Sequence, residues 1–199
     1  MPKHGMLIVI SGPSGVGKDT VVSRYYQEHQ ECMLSVSATT REPRPGEFEG
    51  VHYFYISRDE FNRKIKSGEM LEYAEYNGNC YGTPADNVEK MRAAGNDVIL
   101  VIEVQGAKKV QKLCPEAVLV FIMPPSVEEL RSRLETRGTE NAEAVNARMQ
   151  VASKEMEAAP GYDYVLVNND IDECVAELGR VLSVAAQSQK HMPKNLKGE

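Results

Sequence analysis

Leu7-Ile8-Val9-Ile10, then Gly12-Pro13-Ser14-Gly15-Val16-Gly17-Lys18, then Asp19-Thr20-Val21-Val22 is the stretch that decides the fold. The apolar run reads as a buried strand, and Thr20 to Tyr26 can start a helix. Strand, glycine-rich loop and helix in that order are the context of a P-loop. The glycines let successive backbone N–H groups converge on one point without a Cβ in the way. The following helix turns its positive end toward the same point. Lys18, read as an exposed loop residue, adds a mobile full charge. The combination predicts a polyphosphate site, and so a nucleoside triphosphate as ligand.

The match has one departure. The pattern asks for Ser or Thr directly after the lysine, to reach Mg²⁺. This chain has Asp19 there, with Thr20 next. Thr20 is expected to supply the hydroxyl on the metal side, directly or through water. Asp19 then serves the helix, whose dipole favours an acid in its first turn. The alternative, that Asp19 orders Mg²⁺-bound water, stays open.

Composition sets the outer limits. A chain of 199 residues, 42% hydrophobic, can build one domain with a real core. No apolar run approaches the ~20 residues that span a bilayer. The start of the chain leads straight into the first strand, and its apolar stretch is too short for a signal peptide, so a cytoplasmic protein is expected, with no membrane partner. Cys32, Cys80, Cys114 and Cys174 are scattered, which speaks against disulfide or metal roles. A net charge of −6 speaks against general nucleic-acid binding and requires any anionic substrate to be met by local arginines. A monomer or small homo-oligomer is expected.

Apolar runs recur between helix-like segments: Met6–Ile10, Met33–Val36, Val98–Val104, Val118–Met123 and Tyr164–Val167. This alternation predicts an α/β fold, a parallel five-stranded sheet flanked by helices. Ser126 with Glu129 forms a capping box for a helix from Val127 to about Thr136. A second helix reads from Ala142 to Ala158, stopped by Pro160-Gly161. Asp170 caps a third, with Ile171, Val175, Leu178 and Leu182 as its apolar stripe. Residues 37–84 break the rhythm. They hold Pro43, Pro45, Gly46, Gly50, a short helix capped by Ser57 and Glu60, and Asn77-Gly78 between strand-like segments, a strong hairpin signal. This reads as a small β-rich lobe placed over the carboxyl ends of the strands.

Arg41 and Arg44 flank a stiffening proline in Ser37-Ala38-Thr39-Thr40-Arg41-Glu42-Pro43-Arg44. Two guanidinium forks on a rigid loop suit a phosphate, although a solvated surface loop has the same composition.

With these segments in hand, the chain resembles the bacterial-type guanylate kinase family of nucleoside monophosphate kinases over about residues 5–184. The carriers are Gly12 to Lys18, Ser35 to Arg44, Gly50-Val51-His52-Tyr53, Glu72, Tyr81-Gly82-Thr83-Pro84, Ile102-Glu103-Val104-Gln105-Gly106, Arg133 to Glu140, and Val167-Asn168. The resemblance implies a P-loop NTPase fold with its core in 5–36, 85–124 and 160–184, a GMP-binding lobe in 37–84, a helical lid in 125–159, and a polar, frayed tail in 187–199. It implies ATP on Gly12, Pro13, Ser14, Gly15, Val16, Gly17, Lys18, Asp19 and Thr20, with Asn168 on the adenine. It implies that Arg41, Arg44, Tyr53 and Tyr81 hold the GMP phosphate, and that Ser37, Glu72 and Thr83 read the guanine. Arg133, Arg137 and Arg148 resemble lid arginines that join Lys18 and Arg41 in stabilising the transferring phosphoryl group.

Chemistry supports Glu72. Guanine shows N1–H and N2–H₂ on one edge, and one carboxylate accepts from both. Adenine would meet it lone pair to lone pair. Thr83 has a rival role as the cap of a helix starting at Pro84. Relatives often carry two acids where this chain has Val101 and Glu103; Glu103 can still serve the metal or the GMP ribose, while the job of the acid that Val101 replaces is absent or done elsewhere, with Asp19 as a candidate. The implied activity is ATP + GMP = ADP + GDP, with Mg²⁺ and direct in-line transfer. Two rivals share parts of the pattern: a peptide-binding module of the same fold, and a kinase for AMP or UMP.

Overall fold

The computed structural model describes residues 4–29, 31–76, 78–136 and 142–191. Arg137, Glu140, Asn77 and the last stretch of the expected tail, 192–199, lie outside the described residues. In chain order the strands are β1 (Leu7–Ser11), β2 (Cys32–Leu34), β3 (Ala38–Thr39), β4 (Phe54–Tyr55), β5 (Met70–Tyr76), β6 (Asn79–Pro84), β7 (Asp97–Val101), β8 (Val118–Met123) and β9 (Tyr164–Val167). The helices are α1 (Lys18–Glu28), α2 (Arg58–Lys66), α3 (Ala85–Ala93), α4 (Val104–Leu113), α5 (Val127–Thr136), α6 (Ala142–Met156) and α7 (Ile171–His191).

The chain divides into two compact units, Met1–Ser11 with Gln30–Leu119, and Gly12–His29 with Val120–Glu199. Of the five parallel strands, the first unit holds three, in the order β2–β7–β1. Leu7, Ile8, Val9, Val98 and Leu100 on them are essentially without exposed surface. A strand buried on both faces is continuously apolar, which is why Leu7–Ile10 does not alternate. The same unit carries a four-stranded sheet, β4–β3–β6–β5, built from the proline- and glycine-rich insert. β5 and β6 form the expected hairpin, with Gly78 at φ +73° in its turn. The register shifts between Met70 and Glu72. Ser57 caps α2, its hydroxyl accepting from the Glu60 N–H at 3.2 Å, and Phe61 is fully buried under the sheet. Phe61 with Ala38, Met70 and Cys80 gives this lobe its own apolar cluster.

In the second unit β8 and β9 pair in parallel, Val120 opposite Tyr164. Ser126 caps α5 as expected, accepting from the Glu129 N–H at 3.0 Å. The Glu129 carboxylate is directed onto Arg133, at 2.9 Å. Leu130 and Leu134 of α5 close a small core with Val145, Met149 and Ala152 of α6. Burying one such leucine contributes about 1.5–3 kcal/mol, so the helix pair holds together by its own packing. Pro160-Gly161 ends the α6 region in a short 3₁₀ turn. Asp170 caps α7, accepting from the Asp172 and Glu173 N–H groups. α7 runs on to His191, so residues 187–191 are helical where a frayed tail was expected. No helix among the described residues is long and apolar enough to cross a membrane.

Candidate functional site

The second unit contains the glycine-rich loop. Val16 N–H closes the loop on Pro13 C=O at 3.2 Å, and α1 starts directly at Lys18. Gly15 and Gly17 have φ +87° and +93°, where a side chain is strained. They are also crowded: a Cβ on Gly15 would come within 2.6 Å of Leu134, and one on Gly17 within 2.8 Å of the Asn168 amide nitrogen. The loop is therefore seated against α5 and the end of β9 with nothing but backbone at two points.

Lys18 is not the exposed loop residue the sequence suggested. It is the first residue of α1, buried at 8% exposure, and its ammonium donates to Gly12 C=O at 2.8 Å. The helix begins two residues earlier than the sequence reading from Thr20, because Gly17 in the left-handed region turns the chain straight into it. Asp19 and Thr20 follow in the first turn, both exposed.

A cleft of about 480 Å³ opens beside the loop, lined by Gly15, Gly17, Thr20, Arg133 and Asn168 among others. Thr20 is among the residues that line it. Asn168 is buried, and its amide nitrogen donates to Val16 C=O at 2.8 Å. Arg133 donates to Asn168 C=O at 3.0 Å and to Val16 C=O at 3.4 Å. Arg148 donates to the Ser14 hydroxyl at 2.8 Å, and the Ser14 N–H donates to Glu155 at 3.3 Å. The geometry thus brings Lys18, Arg133, Arg148 and Asn168 around one loop. Glu155 was not expected there; its only sequence signal is an acid on the helix that carries Arg148.

The first unit contains the arginine loop and the carboxylate. Arg41 donates to Glu47 at 2.9 Å and lies 5.5 Å from the centre of the Tyr53 ring. Tyr53 packs edge-on to Tyr55 and to Tyr81, each at 6.0 Å. Glu47 also accepts from the Arg44 backbone N–H and the Tyr55 hydroxyl. Those bonds, Arg41 first, hold its carboxyl at about 2, well below the usual carboxylate range. The same bond raises the Arg41 guanidinium further above its ordinary value, with Tyr81 adding to it. Glu47 and Tyr55 organise this cluster and were missed, because nothing in the spacing distinguishes an acid that orders arginines from a solvated one. Arg44 is exposed, and the Ser37 C=O accepts from Phe54 N–H at the mouth of β3.

Glu72 is buried at 7% exposure on β5, opposite Thr83. The Thr83 hydroxyl donates to it at 2.8 Å. This settles the rival role of Thr83: α3 starts after Pro84 without a side-chain cap, and the hydroxyl is on the carboxylate. Burial raises the Glu72 pKa, against the pull of Thr83 and Lys109, and Glu103 raises it further. Glu103 is exposed at the N-terminal end of α4. Among the described residues no group of three or more His, Cys, Asp or Glu side chains could hold a metal alone.

A parallel α/β sheet with a strand–P-loop–helix unit and a buried lysine at the start of the helix defines a P-loop nucleotide-binding protein. The guanylate kinase family profile matches residues 4–185, so the chain belongs to the guanylate kinase family and is a phosphotransferase. It is 50% identical over 181 residues to guanylate kinase of Halalkalibacterium halodurans, covering 91% of this chain and 89% of that protein. It is 46% identical to guanylate kinase of Desulfitobacterium hafniense over 98% of both chains. The crystal structure of guanylate kinase from Anaplasma phagocytophilum superposes with a TM-score of 0.72 at 36% identity, covering 98% of this chain and 90% of that one.

Proposed function

We propose that the protein transfers the γ-phosphoryl group of ATP to GMP, giving ADP and GDP, in the cytoplasm. The observation that carries the acceptor is the buried Glu72 carboxylate with the Thr83 hydroxyl on it. A buried carboxylate needs donors, and the guanine edge offers two in line. AMP and UMP offer no such pair, and a site built to be hydrogen-bonded rejects analogues that leave it unpaired by as much as about 10⁴–10⁵.

On this reading residues 37–84 form the acceptor lobe and 125–159 the lid. Arg41, Arg44, Tyr53 and Tyr81 take the GMP phosphate. Arg41 exchanges one bond to Glu47 for phosphate oxygens, so Glu47 holds the fork in place beforehand. The loop N–H groups and Lys18 take the β- and γ-phosphates of ATP, Lys18 leaving Gly12 C=O to do so. Arg133 and Arg148, joined by Arg137, offset charge on the transferring group. Transfer is direct and in line, and positioning with positive charge does most of the work.

Mg²⁺ fits the residues present as a partner of the nucleotide: such sites use one or two protein oxygens plus substrate phosphates, and Thr20 offers a hydroxyl in the cleft. When bound it would supply positive charge against the phosphates. Asn168, lining the same cleft, faces the adenine side.

A panel of AMP, GMP, UMP and CMP with ATP and Mg²⁺, read by coupled ADP release, tests the reading. GMP is expected to exceed the others by at least about 10³ in kcat/KM. Equal use of AMP or UMP, or no turnover with any acceptor, would overturn it.

A further inference from the structure

The motif Ile102-Glu103-Val104-Gln105-Gly106 ends in a glycine that the proposed chemistry does not use. Gly106 lies in the first turn of α4 and is buried, with an ordinary helical backbone that any residue could adopt. Its conformation does not explain it. The space around it does. A Cβ at this position would stand 2.6 Å from Oε2 of Glu72, 3.1 Å from its Cδ and 3.3 Å from its Cγ. All three nearest atoms belong to that one side chain.

We infer that Gly106 is a specificity-determining positioning residue: its missing side chain is the space in which the Glu72 carboxylate is held to read the acceptor base. The inference rests on Glu72 as the guanine-reading group.

Something must yield to a methyl at 106, and the surroundings decide what. α4 cannot back away cheaply. Ala107 and Val110, which follow it along the helix, have no exposed surface. Lys109 donates to Tyr73 C=O at 2.7 Å, with its ammonium 4.0 Å from the centre of the Tyr73 ring. Tyr73 is the residue after Glu72, so this bond ties α4 to β5 beside the carboxylate. The mobile part is the end of the Glu72 side chain. Moved aside, it changes its angle to the base and strains the 2.8 Å bond from Thr83. The phosphate-binding tyrosines and arginines are untouched. The cost therefore falls on base reading.

Gly106→Ala tests this, because alanine favours helix over glycine and a folding defect is not expected. kcat/KM is measured for GMP and for inosine monophosphate, which lacks the 2-amino group, together with KM for ATP and the melting temperature. The expected result is a loss of about 10- to 150-fold for GMP, the range for misplacing a hydrogen bond to a charged group. The GMP-to-IMP preference should fall with it, while KM for ATP stays within about twofold and Tm is unchanged or higher. In a Glu72→Ala background the same Gly106→Ala change should cost less than about threefold, since the group it displaces is gone. Normal GMP kinetics in Gly106→Ala, or an undiminished loss in the Glu72→Ala background, overturns the inference and leaves the acceptor reading standing. Unaltered GMP use in Glu72→Ala itself removes the acceptor reading, and the inference with it.

Discussion

Asn168→Asp gives the sharpest test of how the donor loop is held. The asparagine is 6% exposed and its amide nitrogen donates to Val16 C=O at 2.8 Å. Aspartate has the same shape but, ionised, has no donor. It would set a carboxylate oxygen against a carbonyl oxygen at that distance. Leaving a buried acceptor unsatisfied costs about 1–3 kcal/mol. Arg133, which also donates to Val16 C=O at 3.4 Å, leaves that carbonyl one long bond and softens part of the repulsion, so about 2 kcal/mol is the central figure. That energy is lost from the loop conformation that meets the triphosphate, and 2 kcal/mol is about 30-fold in an equilibrium constant. KM for ATP at saturating GMP should rise by about that factor, with KM for GMP little changed. The defect should also depend on pH. Burial pushes the new carboxyl up, and once protonated it donates a hydrogen bond to Val16 C=O as the amide did. KM for ATP in the variant, relative to wild type, should therefore recover as pH falls toward about 5–6. A variant with wild-type KM for ATP at pH 8, or a defect that deepens on acidification relative to wild type, would refute the idea that this hydrogen bond holds the loop.

Lys18→Ala should lower kcat by about 10²–10³ or more, the scale of losing one preorganised charge-stabilising donor, with the circular dichroism spectrum retained. In Mg²⁺ titrations of activity, Thr20→Val should raise the Mg²⁺ requirement and lower kcat while Asp19→Ser stays mild; the reverse order would make Asp19 the metal-side group. NMR titration of the Glu47 carboxyl should show a midpoint near 2, returning toward the ordinary 4.5 in Arg41→Ala. Because this pKa is depressed in the fold, the pair's contribution to the loop is complete above about 4.5 and is lost as pH falls through about 2. Amide exchange around Glu47 followed over that window checks the sign.

The P-loop, the two capping serines on α2 and α5 and the β5–β6 hairpin with Gly78 were legible because each is a local device. A cap is read three residues away, and a turn within two. Thr83 was ambiguous for the same reason: a threonine before Pro84 is as good a local cap as any, and only the strand opposite shows that its hydroxyl belongs to Glu72, eleven residues back. Lys18 was misjudged in exposure because burial depends on what lies above a residue, and its partner is a carbonyl in its own loop. Glu47 and Glu155 gave no signal, since an acid is identified as an organiser only by the donors that reach it.

The amino-acid sequence by itself determined the sheet-and-helix alternation, the strand–glycine-rich loop–helix unit and the family, because apolar period, glycine placement and short motifs act over a few residues. The tertiary structure alone decided which groups spend their hydrogen bonds on each other. Asn168 is bonded to Val16, 152 residues away in sequence, and Arg133 to the same carbonyl. Gly106 is tied to Glu72 by the lack of an atom. Contacts of this kind are made by chain segments brought together in folding, and a space that must stay empty leaves no trace in composition or period.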